Sequence, residues 1–347
     1  MTAHDELREW LSRLVACGEA PLGPIGDDLA ALVKHTRLAW LAVASGARHP
    51  SFAGVEKEAF VRGTLLQRAA AANVARLAAA GVPSVSLKGP AFAMQTLGDA
   101  ATRSSVDVDL LVRRRDLPRV RALLSAAGMT GAAHYPAWYE ERWHDHAAFT
   151  GAPGSEPLTV EVHWDIVRPG LSRLDVGEIL AGAQTVACGA ARLPAPAAPW
   201  QFVLAAAHAA QHYFDGRGVL DVALAGRVLD IDDQGRAIAA ARRSQLGPAL
   251  YYSCVLASAW LGWTPPAGVE ALRPGRVRDA LVAAWLRDWR PDAGLSWRQL
   301  QVNKLAAPLS ISGRLGGLAG LAYAVTDRPN VCATLDARLR RLRAPRD

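Results

Sequence analysis

The sequence predicts an α+β (mixed α/β) fold, in which a small core with a mixed sheet is flanked by N-terminal helices and a C-terminal all-helical domain. Residues 82–87, 106–112 and 158–166 have the short apolar or alternating pattern of strands. The flanking regions show apolar side chains at helical spacing, and abundant Ala, Leu and Arg also favour helix. The predicted division is a helical region, a core, a linker and a helical domain, at 1–81, 82–183, 184–199 and 200–347.

Composition and charge limit the classes of function. The 347 residues are 51% hydrophobic, enough for one large domain or two small ones. The net charge of +7 suits a phosphate-bearing partner, but it is not concentrated in a long basic tract, so binding to nucleic acid is not expected. Four scattered cysteines suit a reducing compartment. Because the chain shows neither a signal-peptide pattern nor a long apolar segment, we expect a cytoplasmic protein without a membrane span.

Three helices are expected before the core. They occupy residues 5–16, 27–44 and 57–80, each with apolar residues on one face. Trp10 and Trp40 are interpreted as core residues of these helices. The alternative is that they belong to a surface that receives an acceptor substrate.

The first core strand, 82–87, is followed by a turn at Lys88 and Gly89. Pro90 suits the first position of the helix after the turn. A helix that begins behind a Gly turn exposes free backbone N–H groups, which can bind an anion. Lys88 could add its charge to this site, or it could be a surface lysine whose stem covers apolar side chains.

The strand at 106–112 carries Asp107 and Asp109. Residues two apart on a strand share a face, so these carboxylates project together while Val108 and Leu110 face the other way. Two adjacent carboxylates repel each other, and a divalent cation such as Mg²⁺ would offset the repulsion. The alternative is an edge strand with a solvated acidic face.

The strand at 158–166 has the same two-sided pattern. Glu161, His163 and Asp165 lie on one face, and Val160 and other apolar residues lie on the opposite face. His163 could contact a phosphate or a substrate, or it could hydrogen-bond Glu161.

Further histidines occur at two places. The aromatic patch at 134–149 includes His144 and His146, for which Zn²⁺ binding is an alternative that no ligand spacing supports. His208 and His212 lie four residues apart on the first helix of the C-terminal domain. Because no H-E-x-x-H glutamate lies between them, packing or substrate contact is favoured over metal binding.

The second half of the chain is expected to be helical after an Ala/Pro-rich linker at 184–199. The later helices are expected at 233–246, 247–261, 276–287, 296–306 and 337–346. The last of these carries a basic tail, which is interpreted as a solvated helix face.

Three pieces of sequence occur in an order that is typical of one family. They are Leu87-Lys88-Gly89, the segment from Arg103 to Val112, and Glu161-Val162-His163-Trp164. Over about residues 80–230 the chain resembles the bacterial uncharacterised nucleotidyltransferase family, within the DNA polymerase β-like nucleotidyltransferase superfamily. It departs from the pattern at Pro90 and Val106, where the superfamily and the family, respectively, have Ser.

The resemblance implies the residues of a catalytic site. Asp107, Asp109 and Glu161 would be the catalytic carboxylates and would hold two Mg²⁺ ions, or Mn²⁺, with Asp165 as the alternative to Glu161. The residues expected to contact the nucleotide are Lys88, Gly89, Arg103, Ser104, Ser105 and His163. The residues expected to close a substrate cleft are His208, His212 and Asp221.

The implied reaction is Mg²⁺-dependent transfer of a nucleoside monophosphate from an NTP, such as ATP, to a hydroxyl of a small-molecule, peptide or protein acceptor. One alternative is transfer of another group, such as a sugar, from a nucleotide donor at the same metal site. The other is an inactive nucleotide-binding or interaction protein, which the loss of the turn Ser to Pro90 would favour.

Overall fold

A five-stranded mixed sheet lies in the central part of the chain. The computed structural model describes residues 1–131, 140, 144–151, 158–292 and 308–312. The strands are β1, Val85–Ser86; β2, Asp107–Leu111; β3, Thr130–Gly131; β4, His146–Thr150; and β5, Thr159–His163. Their order is β1-β2-β5-β4-β3, with β2 and β5 parallel and the other neighbours antiparallel. The strand predicted at 158–166 is thus shorter than expected, and β1 is reduced to two residues.

Helices form most of the remaining described chain. They are α1, Ala3–Cys17; α2, Asp27–His35; α3, Ala39–Ala44; α4, Val55–Ala79; α5, Gly89–Leu97; α6, Leu117–Ala126; α7, Val176–Ala181; α8, Ala198–Gln211; α9, Gly216–Arg227; α10, Ile231–Arg243; α11, Gly247–Leu261; and α12, Arg276–Leu286. The α+β class predicted from the sequence is confirmed. The helices expected at 296–306 and 337–346 lie outside the described residues. Among the helices that the structure describes, none is both long enough and apolar enough to cross a membrane.

The two faces of the sheet differ in polarity. One face packs against α4 and α6, and its buried side chains are Val108, Leu110, Val160 and Val162. Because side chains alternate along a strand, the acidic residues between them point to the opposite face. The alternation predicted for β2 and β5 is therefore the feature that separates the apolar core from the polar surface.

A second core joins the two ends of the described chain. Buried side chains of α1, α2 and α3 pack with those of α8 to α11 in one cluster. Trp10 is 1% exposed, and its indole Nε1 donates a hydrogen bond of 3.0 Å to the carbonyl of Ala20. Trp10 is thus a core residue, as predicted.

The single helix expected at 27–44 is interrupted, so this prediction is wrong in part. Arg37 has φ +60°, Arg37 N–H donates to the carbonyl of Lys34, and Leu38 N–H donates to that of Val33. These two bonds form a Schellman ending, which normally has Gly at the left-handed position. The sequence shows no Gly or Pro there, so the break between α2 and α3 gave no local signal.

The Ala/Pro-rich stretch at 184–199, expected to be an irregular linker, contains a β-hairpin. Strands β6, Gln184–Cys188, and β7, Ala191–Ala195, pair antiparallel across a two-residue turn. Gly189 has φ +57°, which permits such a tight turn. The composition was misleading because Pro194 occupies an edge strand, where a missing N–H is tolerated. The division of the chain into domains at this stretch stays a prediction.

Candidate active site

A cleft of about 710 Å³ opens on the polar face of the sheet. Its walls come from the sheet, from the N-terminal helices and from α8 and α9. All the predicted site residues except Gly89 line it, namely Lys88, Arg103, Ser104, Ser105, Asp107, Asp109, Glu161, His163, His208, His212 and Asp221. The structure therefore brings these residues to one place, although they are far apart in sequence.

The parallel pairing of β2 and β5 places three carboxylates on the floor of the cleft. Asp109 is opposite Glu161 in the register of the two strands, and Asp107 is opposite Thr159. Asp107 shares a face with Asp109 because they are two residues apart. Asp109 is 3% exposed, whereas Asp107 and Glu161 are partly exposed.

Asp109 is held by two cationic or proton-donating side chains. Lys88 Nζ and His163 Nε2 each lie 3.0 Å from Oδ1 of Asp109. Burial alone would raise the pKa of Asp109, but the Lys88 ammonium and the His163 imidazole outweigh it and hold the pKa well below its usual range. Asp109 is therefore ionised at neutral pH.

His163 links the carboxylates. It lies opposite His146 on β4, and its Nε2 is also 3.4 Å from Oε2 of Glu161. Burial would lower the pKa of His163, but hydrogen bonds to Asp109 and Glu161 outweigh it and raise the pKa to about 9. The same contact lowers the pKa of Glu161 against the effect of its burial.

Asp107 is fixed by the loop before β2. Ser105 Oγ donates to Oδ1 of Asp107 at 3.1 Å, and the carbonyl of Ser105 accepts a hydrogen bond of 3.2 Å from Arg62 Nε. Burial raises the pKa of Asp107, and the charges of Asp109 and Glu161 raise it further. The negative charge on this part of the cleft is therefore not fully compensated by the protein.

The acidic surface fits a divalent cation. Ligand atoms of Asp109, Glu161 and His163 lie within 4.8 Å of one another. Mg²⁺ takes carboxylate oxygens, and its charge would remove the repulsion that raises the pKa of Asp107. Among the described residues, the groups of ligand atoms that converge this closely do not include Asp107. Joint binding of an ion by all three carboxylates would therefore require the Asp107 side chain to move.

The Lys88-Gly89 turn leads into α5, as the sequence predicts. Gly89 has φ +61° and is the first residue of the helix, and Pro90 is the second. A side chain at this left-handed position would be strained, which accounts for the glycine. The helix N-terminus lies beside Ser105, whose side chain would be 3.7 Å from a Cβ at position 89.

Arg103 lies in the cleft, but its guanidinium is engaged. It contacts both carboxylate oxygens of Asp221, with Nη2 2.8 Å from Oδ2, and it lies over the ring of Phe92 at 5.3 Å. This ion pair connects the loop before β2 to α9. Contact between Arg103 and a phosphate stays a prediction.

His208 and His212 lie together on the wall formed by α8. Their ring centroids are 4.3 Å apart. Burial lowers the pKa of His208 well below its usual value, and the nearby Lys88 ammonium lowers it further. A neutral His208 suits packing or hydrogen bonding to a substrate, and contact of His208 and His212 with a substrate stays a prediction.

Asp165, the alternative to Glu161, has a different surrounding. Its Oδ1 accepts hydrogen bonds from the backbone N–H of Ile166 and from Ser172 Oγ, at 2.8 and 2.9 Å. Burial raises the pKa of Asp165 to about 7. Asp165 supports the turn after β5 and does not line the cleft. Glu161, and not Asp165, therefore lies in the cleft with Asp107 and Asp109.

Several cleft residues were not singled out from the sequence. Asp145 is 3% exposed, and it receives a hydrogen bond of 3.2 Å from Gln211 Nε2 on α8. Lys34 and Arg37, next to the break between α2 and α3, and Arg217 on α9 add basic side chains. The sequence His144-Asp145-His146 could have indicated Asp145 as a site residue. The three basic residues show no such pattern, because they come together only through tertiary packing.

A protein-family model matches most of the chain. The model of the uncharacterised nucleotidyltransferase family matches residues 28–262, which is more than half of the chain. The match runs from α2 to α11 and includes every predicted site residue. No protein of curated function matches the sequence significantly. The extent of the family match shows that the chain belongs to the uncharacterised nucleotidyltransferase family.

Proposed function

We propose that the protein transfers a nucleoside monophosphate from an NTP to a hydroxyl of a small-molecule, peptide or protein acceptor, with Mg²⁺ as its cofactor. The observation that carries this proposal is the pairing of Asp109 with Glu161 on the floor of the cleft. The acceptor oxygen forms a bond to the α-phosphorus, the bond from the α-phosphorus to the β-phosphate oxygen breaks, and pyrophosphate leaves. One proton is released from the hydroxyl.

The carboxylates are assigned to the metal. Bound Mg²⁺ would offset the charge of the triphosphate and polarise the reacting phosphoryl group. Asp107 and Asp109 are the proposed ligands on the donor side, and Glu161 joins them for a second ion. Lys88 and His163 both contact Oδ1 of Asp109, which leaves Oδ2 for a cation.

The basic side chains are assigned to the phosphates. Lys34, Arg37 and Arg217 line the cleft, and within the described residues none of them forms an ion pair with a carboxylate. Burial lowers the pKa of Arg217 to about 10, and the nearby charge of Arg103 contributes. An anion would compensate this charge, and a guanidinium suits phosphate because it can donate two parallel hydrogen bonds.

The flanking helices are assigned to the acceptor. Trp40 and Val55 from the N-terminal helices and His212 from the end of α8 line the same cleft as the carboxylates. Apolar and aromatic side chains beside a few polar groups are typical of a pocket for an organic ligand. We therefore expect these residues, rather than the sheet, to select the acceptor.

Calorimetry tests the donor site. Each of the four NTPs is titrated into the protein with Mg²⁺ and with a chelator, and the titration is repeated with the double variant Asp107→Ala/Asp109→Ala. The matched control is Asp232→Ala/Asp288→Ala, which removes two exposed carboxylates outside the cleft. We expect Mg²⁺-dependent binding by the wild type and the control, and none by the cleft variant.

Transfer is then followed with an α-³²P label on the NTP that binds. Label retained on an acceptor, with release of unlabelled pyrophosphate, is the expected result. Binding of a nucleotide-sugar but of no NTP would overturn the proposal in favour of sugar transfer. A folded protein that binds neither donor would overturn it in favour of an inactive binding protein.

A further inference from the structure

Asp145, His146 and His163 form a second cluster of possible metal ligands beside the carboxylates. The antiparallel register of β4 and β5 places His146 opposite His163, and Asp145 immediately precedes β4. One ligand atom of each residue lies within 4.8 Å of the others. All three residues line the cleft, so an ion among them would reach the same space as the substrates.

The two imidazoles approach one oxygen of Asp145 at distances that are long for hydrogen bonds. His146 Nδ1 lies 3.5 Å from Oδ2 of Asp145, and His163 Nδ1 lies 3.9 Å from it. A charge-assisted hydrogen bond would be about 2.7–2.9 Å long. In a tetrahedral site with bonds of about 2.0–2.1 Å, neighbouring ligand atoms are about 3.3–3.4 Å apart. The spacing therefore fits a shared ion better than it fits direct pairing.

Both Nδ1 atoms are buried and lack a hydrogen-bond partner in the part of the chain that the structure describes. The side chain of His163 is only 5% exposed, so water does not compensate its Nδ1 atom. A buried polar atom without a partner is costly. A metal ion would satisfy both nitrogens at once.

The hydrogen bonds of His163 determine which of its nitrogens is available. Nε2 lies 3.0 Å from Oδ1 of Asp109 and 3.4 Å from Oε2 of Glu161. The proton on Nε2 serves these carboxylates, and an ion bound on the side of Asp145 would replace the second proton of the imidazolium, at Nδ1. Metal-ligating histidines commonly donate the other ring N–H to a carboxylate, and Asp109 fills that role here.

The ligand set indicates the class of ion. Two imidazoles and one carboxylate suit Zn²⁺ and other first-row transition metals better than Mg²⁺, which prefers oxygen. We propose that Asp145, His146 and His163 form a site for a divalent ion of the Zn²⁺ class, separate from the Mg²⁺ site at Asp107, Asp109 and Glu161. Three protein ligands leave a coordination position open toward the cleft. This proposal does not depend on nucleotidyl transfer.

Titration of the metal-free full chain with Co²⁺ tests the site, because Co²⁺ replaces Zn²⁺ and absorbs visible light when it has nitrogen ligands in a tetrahedral site. We expect one bound Co²⁺ per chain, which one equivalent of Zn²⁺ displaces and excess Mg²⁺ does not. His146→Ala and Asp145→Asn should abolish the band, and their thermal unfolding shows whether each variant is folded. Asp145→Asn is close in shape to the native residue and can keep its contact with Gln211.

Two controls separate this site from others. His4→Ala removes an exposed imidazole outside the cleft and should keep the Co²⁺ band. Asp107→Ala should also keep it, even where Mg²⁺-dependent NTP binding is lost. The proposal is overturned if the wild type gives no band with Co²⁺, if the band survives in folded His146→Ala, or if Asp107→Ala loses it as well. Failure of NTP binding with an intact Co²⁺ band would affect only the proposed transferase function.

Discussion

Lys88 and Asp109 form an ion pair at the base of the cleft, in which Lys88 Nζ lies 3.0 Å from Oδ1 of Asp109 and the Asp109 side chain is only 2% exposed. The Lys88 ammonium thus compensates a charge that the proposed Mg²⁺ would also compensate. The two cations would act on the same carboxylate, and this overlap can be measured.

Lys88→Met should destabilise the protein in a chelator by roughly 2–4 kcal/mol, because it leaves a buried carboxylate with only His163 as a partner. Mg²⁺ should recover much of this loss, so its stabilising effect should be larger in the variant than in the wild type. Urea unfolding with and without Mg²⁺ measures both quantities. An equal effect of Mg²⁺ on the two proteins would show that Asp109 does not bind the ion.

Glu161→Gln should weaken Mg²⁺-dependent NTP binding by more than about 100-fold, because it removes the charge of a proposed metal ligand. Loss of a residue that contacts only a ligand, and not the metal, typically costs roughly 10–100-fold. The matched variant is Asp165→Asn, which changes an acid just beyond the end of the same strand. Asp165 lies outside the cleft and holds the turn at Ile166, so its amide variant should keep NTP binding. If calorimetry shows that Asp165→Asn loses NTP binding and Glu161→Gln keeps it, Asp165 and not Glu161 is the third carboxylate ligand.

Arg37→Gly should stabilise the fold by up to about 1 kcal/mol, because glycine adopts the left-handed conformation without steric cost but loses more chain entropy on folding. The same variant should weaken NTP binding, since it removes a basic side chain from the cleft. Gln245→Gly is the control, because Gln245 has φ +62° and lies outside the cleft. It should gain similar stability and leave NTP binding unchanged. A similar loss of NTP binding in both variants would argue against a role for the Arg37 side chain.

The Arg103–Asp221 pair should show strong coupling in a double-mutant cycle. Arg103→Gln and Asp221→Asn should each cost about 3 kcal/mol or more, because each leaves an uncompensated buried charge. The double variant should cost less than the sum. The exposed pair Arg243–Glu178 is the reference, for which the coupling should be below about 1 kcal/mol. Similar coupling in the two pairs would mean that Asp221 does not fix the loop before β2.

The floor of the cleft could be predicted from the sequence. Alternation along β2 and β5 determines which side chains share a face, and together with the family resemblance it predicts that Asp107, Asp109, Glu161 and His163 belong to one site. Strand alternation is a strong signal because the wrong register would bury these charges in the core. The class of fold followed from the same strands and from the helical pattern on either side.

The walls of the cleft could not be predicted in the same way. Arg37 lines the cleft because α2 ends there in a left-handed turn without glycine. Tertiary packing, and not the local helix propensity, determines where this helix ends. The hairpin around Gly189 was hidden by an Ala/Pro-rich composition. Asp145 depends on the pairing of β4 with β5, which single-sequence patterns do not specify.

The parallel arrangement of β2 and β5 has a consequence for how the protein folds. Asp109 and His163 are 54 residues apart in the chain, and they meet only after the segment between the two strands has crossed over. Closing this long loop between β2 and β5 costs chain entropy before the contacts between the strands can form. These strands should therefore pair later in folding than the local helices form. An incompletely folded or truncated chain should therefore lack the clustered side chains, so binding of the proposed metal ions would require the complete fold.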